Sequence, residues 1–144
     1  MTAPSLSLVT RRLVRADAAR LFADWTESER LVRWWGPRGV RCTGAEIDLR
    51  VGGRYRIGNR FADGREVAIT GVYERIEAPH CLVFTWRVEP GPEIDERVTV
   101  RFEPRGAATE IVVVHERIAS DEARESHRAG WEGCLDGLTR HAGA

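Results

Sequence analysis

Between residues 40 and 118, apolar and polar side chains alternate with a period of two, which is typical of strands that bury one face. Turn-forming residues, chiefly glycine, proline and aspartate, interrupt the alternation at intervals. An earlier segment alternates in the same way. The pattern therefore predicts seven strands, at residues 5–15, 40–49, 53–61, 66–77, 81–88, 95–104 and 109–118.

One face of these strands is apolar and the other is polar. Leu82, Phe84 and Trp86 share one side of strand 81–88, and strand 95–104 repeats the arrangement. The opposite sides are rich in arginine, threonine and glutamate. This is the pattern of an antiparallel sheet that is covered on one face and exposed to solvent on the other.

The remaining segments follow a helical period. Asp17 is a suitable N-cap for a short helix, and a second short helix is predicted from Thr26 through Trp35, where Gly36 and Pro37 end it. A long helix is predicted at 121–142, after a capping serine. A single α+β domain over residues 1–144, with a curved antiparallel sheet wrapped around the long helix, accommodates this order.

Three glycines interrupt the long helix, at positions 130, 133 and 137. Each costs about 1 kcal/mol relative to alanine inside a helix. They therefore predict either a close approach of the helix backbone to the sheet or space that is left for another molecule.

Composition excludes several classes of function. The chain has 22 basic and 22 acidic residues, and this balance argues against a nucleic-acid partner. No apolar run approaches the ~20 residues of a membrane helix, and the first residues do not resemble a signal peptide. Three isolated cysteines favour reduced thiols, so we expect a cytoplasmic protein.

Motifs for catalysis, cofactors and metals are missing from the sequence. It contains no Gly-x-Ser-x-Gly elbow, no His-Glu-x-x-His and no Cys-x-x-Cys, and Gly52-Gly53 lacks the setting of a phosphate loop. We therefore predict no cofactor, no metal and no assigned catalytic residue. His115, which is in phase with Ile111 and Val113, is the one candidate acid or base. It is alternatively a core-edge histidine bonded to a neighbour.

Several short motifs occur in the order found in a known superfamily. They include Leu-Val-Arg-Trp-Trp-Gly-Pro at 31–37, Asp-Leu-Arg-Val-Gly-Gly-Arg-Tyr-Arg at 48–56 and Leu-Val-Phe-Thr-Trp at 82–86. From about Leu13 to its end the chain resembles the START-like helix-grip proteins, also called SRPBCC or Bet v 1-like. Within them it is most similar to the family named after the C-terminal domain of the activator of heat-shock protein 90 ATPase.

The resemblance implies a helix-grip fold with an apolar cavity between the sheet and the C-terminal helix. A small hydrophobic ligand is the expected partner. We expect six residues to contact it: Trp35, Tyr55, Trp86, His115, His127 and Trp131. Arg54 is expected near the mouth of the cavity.

Two other functions remain open. The family name implies a co-chaperone that stimulates a heat-shock ATPase, although the separate N-terminal domain of the eukaryotic activators is missing from this sequence. A cyclase- or hydrolase-like enzyme would use His115 in the cavity. A homodimer is also possible, through an exposed patch at Trp34 and Trp35.

Overall fold

The computed structural model describes residues 5–143 and contains the predicted elements in the predicted order. Strand β1 is followed by two short helices, six further strands and one long helix. The elements are β1 (Leu6–Val14), α1 (Ala18–Thr26), α2 (Ser28–Leu31), β2 (Val40–Ile47), β3 (Arg54–Phe61), β4 (Glu66–Glu77), β5 (Cys81–Glu89), β6 (Glu96–Arg105), β7 (Ala108–Ile118) and α3 (Asp121–Gly143).

The seven strands form one antiparallel sheet in the order β1-β7-β6-β5-β4-β3-β2. Three register shifts, in the β1–β7, β2–β3 and β4–β5 pairs, interrupt the pairing. Such bulges increase strand twist and bend the sheet. The sheet curls around α3, so the predicted α+β helix-grip fold is confirmed.

Capping side chains start two of the helices where the sequence predicts. The backbone N–H of Arg20 donates to Asp17 Oδ1 at 2.7 Å, and that of Ala123 donates to Ser120 Oγ at 3.1 Å. The second short helix ends at Leu31, earlier than predicted, because the backbone N–H groups of Arg33 and Trp34 bond to carbonyls only three residues back. Tightening of this kind ends an α-helix.

The C-terminal half of α3 packs directly on the Trp34–Arg38 segment. A Cβ on Gly137 would collide with the Trp34 carbonyl, and one on Gly133 would lie 2.8 Å from Pro37 Cα. The close approach that the glycines predict therefore exists, but its partner is this segment and not the sheet. An ion pair of 2.7 Å between Arg12 and Asp136 also ties α3 to β1.

Two expectations about the surface are wrong. Trp34 and Trp35 are buried, at 4% and 6% exposure, so they offer no exposed patch, and the homodimer stays a prediction without this support. Arg54 lies on the outer face of the sheet, beside Glu46 and Thr70, because alternation along β3 points it away from the buried Tyr55. Among the helices of residues 5–143, none has the length and apolarity needed to cross a bilayer.

Candidate functional site

A cleft of about 620 Å³ separates the N-terminal half of α3 from the inner face of the sheet. Its floor comes from β3, β4 and β5, and the segment after α2 closes one side. We call this space the cleft; the side chains that define it are Trp35, Val40, Asn59, Phe61, Ile69, Trp86, Val88, His127 and Trp131.

Gly130 helps to keep the cleft open. A Cβ at this position would meet only Pro37 Cγ, at 3.9 Å, which is ordinary van der Waals contact. The helix is therefore not pressed against its neighbour here, in contrast to Gly133 and Gly137. The missing side chain of Gly130 leaves room in the wall of the cleft.

Three tryptophans build one wall of the cleft. Trp131 lies 5.8 Å from Trp35 and 5.2 Å from Trp86 between ring centroids. Trp35 is held in place because its Nε1–H donates to Asn59 Oδ1 at 3.0 Å. Buried aromatic rings in mutual contact give a large and stiff apolar surface.

The polar end of the cleft contains a histidine pair that shares one carboxylate. His115 Nε2 lies 2.8 Å from Glu96 Oε1, and His127 Nε2 lies 3.0 Å from the same oxygen. The two imidazole rings stack with centroids 4.3 Å apart. His115 is fully buried behind His127, so only His127 reaches the cleft.

Trp131 determines the tautomer of His115. Its Nε1–H lies 3.0 Å from His115 Nδ1 and, because an indole nitrogen only donates, Nδ1 is the acceptor. In neutral His115 the ring proton is therefore on Nε2, where it is donated to Glu96. Burial lowers the pKa of His115, partly offset by Glu96, which favours this neutral form.

Glu96 is ionised in this arrangement. Burial raises its pKa, but the contacts with His115 and His127 outweigh burial and lower the pKa to about 2. The charged oxygen accepts from His115 Nε2 and lies 3.0 Å from His127 Nε2, so it is well satisfied although the side chain is only 15% exposed. The carboxylate therefore holds both imidazoles in fixed orientations.

Glu96, His115 and His127 also bring three potential metal-binding atoms within 4.8 Å of one another. The proton position on His115 does not suit a metal ion. Trp131 donates to His115 Nδ1 and so keeps the proton of neutral His115 on Nε2, the nitrogen that would have to bind the metal.

The structure brings four of the six predicted site residues to the cleft: Trp35, Trp86, His127 and Trp131. Tyr55 is separated from it and packs with Tyr73 and Phe84 around a void of only about 10 Å³. His115 lies one layer behind, with both ring nitrogens bonded to protein side chains.

Sequence reasoning missed Glu96 and Asn59. Both occupy inward positions, Glu96 in phase with Val98 and Val100, and Asn59 in phase with Tyr55 and Ile57. A polar residue at an inward position of a one-sided sheet is the signal that could have found them.

Cys134 also borders the cleft but is not a nucleophile. Burial raises its pKa to about 12, so the reactive thiolate is scarce at neutral pH. The prediction that this thiol is inert agrees with that environment.

A curled antiparallel sheet that holds one long C-terminal helix, with a cleft between them, defines the helix-grip class. Over residues 15–143 the sequence matches the family described as "Activator of Hsp90 ATPase homolog 1-like protein", and the chain belongs to that family. A comparison with curated proteins gave no match.

Solved structures support the fold. Protein CV1439 from Chromobacterium violaceum has a TM-score of 0.86 at 23% identity, covering 94% of this chain and 96% of that one. The AHSA1 protein SPO3351 from Silicibacter pomeroyi has a TM-score of 0.84, also at 23% identity and with the same coverage. CalU16 from Micromonospora echinospora has a TM-score of 0.73 at 25% identity, covering 94% of this chain and 75% of that one.

Proposed function

We propose that this protein binds a small hydrophobic molecule in the cleft. The observation that carries the proposal is a space of about 620 Å³ with three tryptophans in its wall, next to an otherwise tightly packed interior. Ligand sites in proteins have volumes of roughly 300–1,000 Å³ and are lined mainly by apolar and aromatic side chains. Membership in a helix-grip family supports the same function.

The balance of side chains in the cleft favours binding over catalysis. Its floor consists of aliphatic and aromatic groups such as Phe61, Ile69 and Val88, which offer area but no proton transfer. The earlier candidate base, His115, has no free ring nitrogen for a substrate. An apolar molecule with few polar groups fits these walls.

The test fills the cleft from within. Gly130→Leu adds a side chain where the helix has free space, so we expect the fold to survive and the cleft to shrink. Glu125→Leu, an exposed position on the same helix, is the matched control. Isothermal titration calorimetry with 1-methoxynaphthalene should give binding to the wild type and the control, and about tenfold or weaker binding to Gly130→Leu.

Two results would contradict the proposal. One is the absence of binding to the wild-type protein. The other is equal affinity for wild type and Gly130→Leu, because the probe would then occupy another surface. Native mass spectrometry of the protein as purified adds an independent measurement, since a bound small molecule should be present in the wild type and lost in Gly130→Leu.

The family description favours a second candidate, in which the protein stimulates a heat-shock ATPase. We infer that this role would use an outer surface and not the cleft, since the tryptophans are turned inward. Measuring the ATPase rate of the chaperone from the same cell with equimolar protein tests it. An unchanged rate would remove this candidate.

A further inference from the structure

We propose that the occupant of the cleft carries a hydroxyl donor, as a phenol or an enol does, and that His127 Nδ1 accepts its hydrogen bond. The inference rests on the proposed function and deepens it by naming the chemical class of the ligand. It follows from a chain of contacts in which each side chain fixes the proton position of the next.

The series of contacts begins at Trp131, whose indole nitrogen can only donate a hydrogen bond. Its Nε1–H occupies His115 Nδ1 and so leaves the single proton of neutral His115 on Nε2. That proton points at Glu96 Oε1, 2.8 Å away. His115 therefore cannot accept a proton from Glu96, and the carboxylate stays an acceptor.

Glu96 in turn determines which nitrogen of His127 carries the proton. The same carboxylate oxygen lies 3.0 Å from His127 Nε2, and an ionised carboxylate can only accept at this contact. The proton of neutral His127 is therefore on Nε2 as well. Its remaining nitrogen, Nδ1, carries a lone pair and becomes an acceptor.

His127 Nδ1 is free to use that lone pair. Within residues 5–143 its ring contacts Glu96 through Nε2, stacks on His115 and meets the edge of Trp86, and no hydrogen bond to Nδ1 is present. The side chain is 19% exposed and lines the cleft. A ligand in the cleft can therefore reach this ring.

Two other polar side chains of the cleft are already engaged. Asn59 accepts from Trp35 at 3.0 Å and donates to the Ile57 carbonyl at 3.2 Å. Asp136, at the rim, is paired with Arg12. His127 Nδ1 thus offers an acceptor at the inner wall, and the neighbouring Trp86 has a buried Nε1–H without a partner within residues 5–143. A hydroxyl group can donate to His127, and its oxygen can still accept from a donor.

The experiment compares two probes of which one carries a hydroxyl proton and the other a methyl group on the same oxygen. At pH 8, calorimetry measures the dissociation constants of 1-naphthol and of its methyl ether, 1-methoxynaphthalene. The readout is selectivity, the ether constant divided by the naphthol constant, so that changes in the apolar contact cancel. A hydrogen bond to His127 should make this ratio about threefold to tenfold higher in the wild type than in a protein that lacks the acceptor.

Two substitutions of His127 separate the contact of Nε2 with Glu96 from the acceptor at Nδ1. An amide nitrogen of glutamine can replace Nε2 toward Glu96 but leaves no acceptor at Nδ1, so His127→Gln should lose the selectivity. The asparagine oxygen occupies the position of Nδ1, so His127→Asn should retain most of it. Arg128→Gln, next along α3 but outside the cleft, is the control and should match the wild type.

Glu96 is a positioning residue in this scheme. Both histidines contact the same oxygen, so in Glu96→Gln the amide oxygen can take its place and accept from both. The proton of His127 then stays on Nε2 and its Nδ1 remains an acceptor. Selectivity should therefore be retained in Glu96→Gln and should fall in Glu96→Leu, where no acceptor holds the proton of His127 on Nε2, whereas a merely structural role would weaken both probes equally.

The outcomes separate this inference from the proposed function. If both probes bind the wild type and the ratio is the same in wild type and His127→Gln, the inference is overturned and the binding function stands. If selectivity survives in Glu96→Leu, or is lost in Glu96→Gln, the proposed fixing of the His127 proton by Glu96 is overturned. If neither probe binds the wild type, the proposed function and the inference fail together.

Discussion

The two halves of α3 use glycine in opposite ways. In the C-terminal half, Gly133 and Gly137 let the helix backbone touch the Trp34–Arg38 segment, and side chains such as Leu135 and Leu138 complete a dense core. In the N-terminal half, Gly130 touches almost nothing and borders the cleft. The C-terminal half is fixed by backbone contact, whereas the N-terminal half contacts the sheet through His127 and Trp131 and leaves the cleft beside them.

This contrast separates stability from function along a single helix. The attached half supplies the packing that keeps α3 in the grip of the sheet. The other half can then leave apolar walls uncovered, which would otherwise collapse because exposed apolar surface is unfavourable. Stiff tryptophans and the Glu96 cluster keep these walls apart.

The largest loss of stability is expected from a substitution in the C-terminal half of α3. Gly137→Ala places a methyl group against the Trp34 carbonyl, so the helix must shift. We expect the free energy of unfolding to fall by roughly 1–3 kcal/mol, in spite of the better helix propensity of alanine. Urea denaturation measures it. A stabilised variant would mean that the helix is not attached here.

The next effect tests the polar end of the cleft. Glu96→Gln should lower the free energy of unfolding by roughly 1–2 kcal/mol at pH 7, because it removes a charged acceptor shared by two histidines.

The pH dependence of that difference has a definite sign. The folded state lowers the pKa of Glu96 from 4.5 to about 2, so the folded protein binds its proton less readily than the unfolded chain. The stabilisation is therefore complete above pH 4.5 and is lost as the pH falls toward 2. Urea titrations of wild type and variant from pH 7 to 3 should converge; a constant difference would contradict the lowered pKa.

The smallest expected effect is a gain in stability, opposite in sign to the loss expected for Gly137→Ala. Gly130→Ala adds a methyl group where there is room, and alanine favours the helix. The free energy of unfolding should rise by about 0.5–1 kcal/mol. Thermal denaturation beside Gly137→Ala gives the direct comparison, and destabilisation by both alanines would erase the distinction between the two halves.

Much of the fold could be predicted because its signals are local. The alternation in strands such as 81–88 and the caps at Asp17 and Ser120 depend only on neighbours in the sequence. The short-range pattern also placed Trp86, Trp131 and His127 on inward faces, and all three line the cleft.

The site itself was only partly predictable, since its contacts join distant segments. Tyr55 and Trp86 both point inward, but bulges and the curl of the sheet put one in a filled cluster and the other beside the cleft. Likewise the partner of His115 is Glu96, 19 residues away, and it could be identified only when β6 paired with β7.

The sequence by itself determined which residues turn inward, where each element begins, and that one long helix must cover one sheet face. The periods of strands and helices carry that information. Only the tertiary structure decided where the interior is filled and where it is open, and which histidine faces the cleft. Those outcomes depend on the distance between α3 and the sheet, which the contacts of Gly133 and Gly137 with a remote segment set.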